Sequence, residues 1–151
     1  GTGKQVKYEE GIYVGYRHYD NFSIEPLFPF GHGLSYTTFE YSNLKISRKG
    51  KKINVQFTLR NSGPITGKEV VQLYTRKIEK GAENKYKELK AFDKIELQAG
   101  ESKRISFQLG EEDFSLFDES GNKWVKGSGK YGLLIGGSSR DIRLSENTRV
   151  P

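Results

Sequence analysis

The chain has 151 residues, 34% of them hydrophobic and 29% charged, with a formal net charge of +6. That is enough for one domain with a single core, and too apolar and aromatic for a disordered chain. The lack of cysteine excludes a disulfide framework and any thiolate zinc site, and no stretch approaches the roughly 18 apolar residues of a membrane span or the apolar core of a signal peptide.

Eighteen glycines, nine tyrosines and nine phenylalanines, with many Val, Ile and Thr, point to strands and turns rather than helices. Residues 1–38 stand apart. Gly11-Ile12-Tyr13-Val14-Gly15-Tyr16 reads as a buried strand with no partner nearby. Residues 21–36 form a loop rich in Pro, Gly and aromatics, too apolar to be left in water. Such a segment is expected to lie against something, because each phenylalanine buried contributes about 1.5–3 kcal/mol. The start at Gly1, without a leader, is read as that of a fragment.

From Phe39 the pattern becomes short strands separated by turn signals. Phe39 to Arg48 carries Phe39, Tyr41, Leu44 and Ile46, and Lys49-Gly50 closes a hairpin onto Lys52–Asn61. There Ile53, Val55, Phe57 and Leu59 fall on one face, and Asn54, Gln56, Thr58 and Arg60 on the other, as in a half-buried antiparallel strand. Asn61-Ser62-Gly63-Pro64 is a turn, and the continuous run Val70-Val71-Gln72-Leu73-Tyr74 predicts a central strand within Glu69–Arg76. Lys77–Asn84 reads as a surface loop. Lys87–Leu97 reads as one bent strand or two short ones around Asp93.

Ala99-Gly100-Glu101 turns into Arg104–Leu109, where Ile105, Phe107 and Leu109 alternate. Glu111–Ser115 could open a single helical turn or a strand, a short loop leading to Phe114–Phe117 being the favoured reading, and Gly121-Asn122 is a hairpin turn before Lys123–Lys126. Lys130–Gly136 and Asp141–Ser145 close the series. Seven to nine strands with turns every 8–12 residues predict an all-β, Ig-like antiparallel sandwich.

Candidate chemistry is sparse. His18 and His32 are too few and too far apart for a metal site. Gly31-His32-Gly33-Leu34-Ser35 lacks the order of a nucleophile elbow. Gly63-Pro64-Ile65-Thr66-Gly67-Lys68 is one residue short of a P-loop, and Glu69 stands where Ser or Thr would hold magnesium. Glycoside hydrolysis needs two carboxylates facing each other across a sugar. Glu9-Glu10 and Glu111-Glu112-Asp113 are sequence neighbours that read as solvated surface. Asn21-Phe22-Ser23 is a glycosylation triplet of a kind that arises often by chance. The basic run Arg48-Lys49-Gly50-Lys51-Lys52 reads as a solvated hairpin tip, with a phosphate-binding patch as the alternative. No catalytic, cofactor-binding or metal residue is assigned, and no cofactor is expected.

The run from Tyr8 to Asp20, Tyr-Glu-Glu-Gly-Ile-Tyr-Val-Gly-Tyr-Arg-His-Tyr-Asp, resembles the end of the α/β sandwich domain of family 3 glycoside hydrolases, the β-glucosidase and β-xylosidase group. Pro26-Leu27-Phe28-Pro29-Phe30-Gly31-His32-Gly33-Leu34-Ser35-Tyr36-Thr37-Thr38-Phe39 resembles the linker that follows it. Asn61-Ser62-Gly63, Gly67–Tyr74, Lys87-Glu88-Leu89-Lys90-Ala91-Phe92, and Gly136 with Ser138-Ser139-Arg140-Asp141-Ile142 resemble the fibronectin type III-like domain that closes many of these enzymes. The departures are Asn84-Lys85-Tyr86, where relatives often place proline, and Ala91, where glycine is common.

The resemblance implies three parts: residues 1–20, an incomplete final strand segment of the α/β sandwich domain; 21–38, the linker; and 39–151, the fibronectin type III-like domain. It places the catalytic nucleophile in an upstream barrel and the acid/base in the upstream sandwich, so the chain would be a non-catalytic accessory region. Its expected partners are the barrel and α/β sandwich domains of the same parent, and polysaccharide at most, with neither membrane nor nucleic acid among them. Tyr16, Arg17, Tyr19, Phe28, Phe30, His32 and Tyr36 are the expected docking residues. The alternative is a carbohydrate- or polyanion-binding module with Tyr86, Trp124 or Tyr131 stacking on sugar. The isolated chain is expected to fold from about Phe39, with residues 1–33 mobile or laid loosely on the sandwich. The compartment, cytoplasmic or secreted, is left open.

Overall fold

The computed structural model describes residues 36–78, 87–118 and 121–150, and nine strands lie among them. The cleanest alternation in the sequence becomes the inner face of β2 (Lys52–Asn61), with Ile53, Val55, Phe57 and Leu59 all buried. β2 is the middle of a three-stranded antiparallel sheet, flanked by β1 (Phe39–Lys49) and β5 (Ser102–Leu109). The β1–β2 hairpin turns through Gly50 at φ 61°, a left-handed position that glycine adopts without strain. Inward-facing Leu44 follows Tyr41 by three residues rather than two. The extra residue is absorbed by a bulge between Ser42 and Lys45, where Asn43 takes φ 55°.

The second sheet has the order β4 (Glu88–Leu97), β3 (Gly67–Ile78), β8 (Gly129–Gly136), β9 (Ile142–Val150), all antiparallel neighbours. The run that predicted a central strand occupies β3, where Val71 through Thr75 are buried on both faces. On the face turned away from the core, Gln72 and Tyr74 are buried and paired. The Tyr74 hydroxyl donates to Gln72 Oε1, Gln72 Nε2 donates to the Gly137 carbonyl at 3.0 Å, and Lys87 Nζ donates to the Ser139 carbonyl. Such pairing offsets the cost of removing those groups from water.

The two sheets pack face to face, and their inner faces meet in one core. Phe57 sits at its centre, stacked with Tyr41 at 5.8 Å between ring centroids and tilted against Phe107 at 6.2 Å. Val71, Leu73, Ile95, Leu97, Leu133 and Ile135 meet it from the opposite sheet. A small hairpin, β6 (Leu116–Asp118) with β7 (Lys123–Val125), turns through Asn122 at φ 45°. Seven strands in two sheets, with this hairpin beside them, make the predicted fibronectin type III-like β-sandwich.

Three local expectations change. Glu112–Phe114 forms a 3-10 turn rather than a plain loop, because the Asp113 carboxylate accepts the Gly110 N–H at 2.7 Å and Phe114 is drawn into the core. Phe114 meets the edge of Tyr131 there at 5.0 Å. β4 is a single strand whose irregularity lies opposite the Leu73–Tyr74 step, between Leu89 and Ala91, not at Asp93. β9 runs past Ser145 to Val150, whose buried side chain and pairing with Gly129 hold the strand to its end. Of the expected 77–84 loop, Lys77 and Ile78 belong to β3 and the remainder lies outside the described residues.

Candidate functional site at the linker end of the sandwich

Asn61 closes β2 and is fully buried. Four hydrogen bonds engage its carboxamide. Oδ1 accepts from Thr37 Oγ1 at 2.7 Å and from the Gly63 N–H at 3.1 Å. Nδ2 donates to the carbonyls of Ile65 at 2.7 Å and Leu97 at 3.0 Å. Its backbone N–H bonds Glu101 O and its carbonyl accepts from Gly100 N, both at 2.9 Å. Through its side chain and backbone, this one residue ties together the segment before β1, the β2–β3 turn, the end of β4 and the β4–β5 turn. A buried amide with donors and acceptors all matched specifies one arrangement of those segments.

The segment before β1 is held twice more, since the Thr38 carbonyl accepts from Ser62 N at 2.9 Å and from Ser62 Oγ at 3.3 Å. Gly63 makes this approach possible. A Cβ there would stand 2.0 Å from Thr37 Oγ1 and 2.8 Å from Thr38 N. Around this clamp two large apolar side chains face water: Tyr36, 91% exposed, and Ile65, 48% exposed. Ile65 is a residue that the sequence pattern did not single out. Its signal was the apolar position inside a turn, and that was read only as a failed phosphate loop.

Within the same end of the sandwich lies an ionisable group of four. The Tyr41 hydroxyl donates to Glu69 Oε1 at 2.8 Å, bridging the two sheets, and Arg143 Nε donates to Asp141 Oδ1 at 2.5 Å. Burial pushes the Glu69 carboxyl above the ordinary carboxylate range, the hydrogen bond from Tyr41 pulls it down, Asp141 pushes it up and Arg143 lowers it. Burial, followed by the negative charge of Glu69, drives the Tyr41 phenol well upward. A Cβ on Gly137 would lie 2.7 Å from Glu69 Oε1 and 3.3 Å from Asp141 Oδ2, so both carboxyls crowd the same bare glycine, Glu69 bonded to Tyr41 and Asp141 to Arg143.

Glu111, singled out in the sequence, is committed as well. Glu111 is held low by hydrogen bonds from Lys126 and Lys51, at 2.6 and 3.2 Å. Lys68 of the phosphate-loop-like stretch pairs with Glu96 at 2.9 Å, and a strand rather than a helix follows that stretch. A cavity of about 400 Å³ along β8 and β9 is lined by Gly129, Lys130, Asn147, Thr148 and Arg149, none of them acidic. Among the described residues no group of three His, Cys, Asp or Glu could hold a metal ion, and no helix is long and apolar enough to cross a membrane.

Of the expected docking residues, Tyr36 lies at the clamp, fully presented. Tyr16, Arg17, Tyr19, Phe28, Phe30 and His32 fall outside the described residues, as do Tyr86, His18 and Glu9-Glu10. Trp124 stands on β7 opposite Phe117, with its backbone alone described. The stacking role considered for Tyr131 is corrected, because its ring is 4% exposed and packed against Phe114 in the core, where no sugar can reach it.

Residues 69–139 match the fibronectin type III-like domain family. Thermostable β-glucosidase B of Acetivibrio thermocellus is 46% identical over an alignment of 154 positions that covers 99% of this chain and 20% of that protein. A putative β-glucosidase of Schizosaccharomyces pombe is 40% identical over 145 residues, 95% of this chain and 17% of its own length. Among solved structures, β-glucosidase 3B from Thermotoga neapolitana in complex with α-D-glucose superposes with a TM-score of 0.86 at 44% identity, over 95% of this chain and 20% of that one. The β-D-glucoside glucohydrolase from Trichoderma reesei gives 0.88 at 34% identity, over 100% of this chain and 24% of its own. The chain thus spans about a fifth of the length of the relatives that it matches.

Proposed function

We propose a bracing role for this chain, whose sequence and fold are those of the C-terminal, fibronectin type III-like region of family 3 glycoside hydrolases. In this reading residues 39–151 are the domain, 21–38 the linker and 1–20 the last strand segment of an α/β sandwich domain. The parent hydrolyses terminal β-linked glucosides, as the names of the relatives suggest, and this region holds its barrel and α/β sandwich domains in place without supplying a catalytic group.

The observation that carries the reading is the Asn61 clamp. A freely swinging appendage would be joined by a flexible tether. Here the last linker residues are bonded into the sandwich through Thr37 and Thr38, so the direction in which the chain leaves Tyr36 is set by the domain itself. Tyr36 and Ile65, exposed on either side of that clamp, form the apolar contact offered to the neighbouring domains.

The test is made in the full-length parent. Tyr36→Ser with Ile65→Ser should lower the unfolding temperature of the catalytic domains by several degrees, as a loss of about 1–2 kcal/mol does in domains of ordinary size, while the isolated 151-residue chain keeps its own stability. Unchanged melting of the parent, both in this variant and after removal of residues 39–151, would exclude a brace.

A further inference from the structure

The two outer faces of the sandwich differ in kind. On the three-stranded sheet the outward positions of β1, β2 and β5 carry no aromatic and no large aliphatic side chain. They carry five cations, Lys45, Lys49, Lys52, Arg60 and Arg104, against one acid, Glu40. The chain's whole net charge is +6, so this face holds most of the excess.

None of the five cations reaches salt-bridge distance of a carboxylate among the described residues. The pairs lie elsewhere: Lys51 and Lys126 with Glu111, Lys68 with Glu96, Lys90 with Glu88, and Arg143 with Asp141. A face serving only solubility would intersperse both signs. Between the cations stand neutral hydrogen-bonding groups in register, Ser47 beside Asn54 beside Gln108, and Gln56 beside Ser106. Lys52 Nζ donates to Gln108 Oε1 at 3.0 Å, and Gln108 Nε2 donates to Asn54 Oδ1 at 2.9 Å. From Lys52 to Arg60 the strand runs about 27 Å, and three strands make a track about 10 Å wide.

We infer that this face binds an acidic polysaccharide, a chain of sugars bearing carboxylates at intervals. Its carboxylates meet the separated cations, and its hydroxyls meet the Ser, Asn and Gln groups between them. The fit comes from charge complementarity on a flat, wettable surface. A neutral glucan would want aromatic platforms, which this face lacks. A single-stranded nucleic acid would want the same for its bases, and duplex grooves admit a helix or a two-stranded ribbon rather than a flat sheet. The inference stands apart from the bracing role, which uses the linker end.

The experiment titrates the 151-residue chain with polygalacturonate, a neutral β-glucan of similar length, and single-stranded DNA of matched charge. Saturable binding to polygalacturonate alone is expected, weakening steeply as salt rises from about 0.05 to about 0.5 M. Lys45→Glu with Arg104→Glu should weaken it at least ~10-fold. The charge-matched control Lys94→Glu with Lys123→Glu, on β4 and β7, should change it less than ~2-fold. Amide NMR spectra establish that both variants are folded, and a Lys45→Gln with Arg104→Gln pair replaces the reversal if it fails that check. No binding, equal losses in the two variants, or tighter binding to DNA or the neutral glucan would overturn the inference.

Discussion

Thr37 Oγ1 donates to Asn61 Oδ1 across 2.7 Å, joining the segment before β1 to the end of β2. The two residues belong to separate sequence strings, Tyr36-Thr37-Thr38-Phe39 and Asn61-Ser62-Gly63, and the fold turns both into one hydrogen-bonded node. Asn61→Ala would strand the Leu97 and Ile65 carbonyls, Thr37 Oγ1 and the Gly63 N–H. With each buried orphan costing about 1–3 kcal/mol and some recovered by water, the chain should lose about 3 kcal/mol in urea unfolding. Thr37→Val removes one bond and leaves Gly63 still donating to Oδ1, so a loss of about 1 kcal/mol is expected.

Gly63 can be tested separately. Gly63→Ala places a methyl against Thr37 Oγ1 and Thr38 N, and the second contact is backbone that cannot step aside. We expect a loss of about 2 kcal/mol. Removing the hydroxyl with Thr37→Ala in the same chain should relieve part of it, so the double variant loses less than the two single losses together. Strict additivity in denaturant titrations would mean that Thr37 and Thr38 do not rest on Gly63.

Much of this fold was legible because one rule dominates it. Period-two alternation in Ile53–Leu59 and Ile105–Leu109 reports directly which side chains enter the core, and the unbroken run Val70–Tyr74 reports a strand covered on both faces. What local pattern could not convey was contact between distant segments. Nothing near Asn61 in sequence says that it will bond Leu97 and Thr37. Nothing near Tyr131 says that Phe114 will cover its ring, and so an aromatic on a strand looked available for sugar when it belongs to the core. Likewise Ile65 is an unremarkable turn residue until the fold leaves its side chain exposed while its carbonyl accepts from Asn61.

Aromatic positions should divide sharply by burial. Phe57 is 1% exposed and touches Tyr41 and Phe107, so Phe57→Ala should cost about 3–5 kcal/mol in urea unfolding. Phe92 is 68% exposed on the edge strand β4. Phe92→Ser should therefore change stability by no more than about 0.5 kcal/mol. A large loss at Phe92 would show that the edge strand is covered within this chain by contacts additional to those described.

Glu69 gives the domain a pH dependence of definite sign. Burial raises its carboxyl above the unfolded value of about 4.3, so the folded state keeps the proton to higher pH than the unfolded state does. The resulting stabilisation is complete below the unfolded pKa and is lost as pH rises through the raised folded value. Glu69→Gln keeps an acceptor for the Tyr41 hydroxyl and cannot ionise. It should stabilise the domain at pH 7 relative to the parent sequence, and much less at pH 4. Tyr41→Phe removes the hydrogen bond that holds the Glu69 pKa down, so it should widen the gap between the two pH values. Urea midpoints at both pH values decide the matter. A Glu69→Gln variant that is destabilised equally at pH 4 and pH 7 would mean that the ionisation of Glu69 does not govern stability over this range.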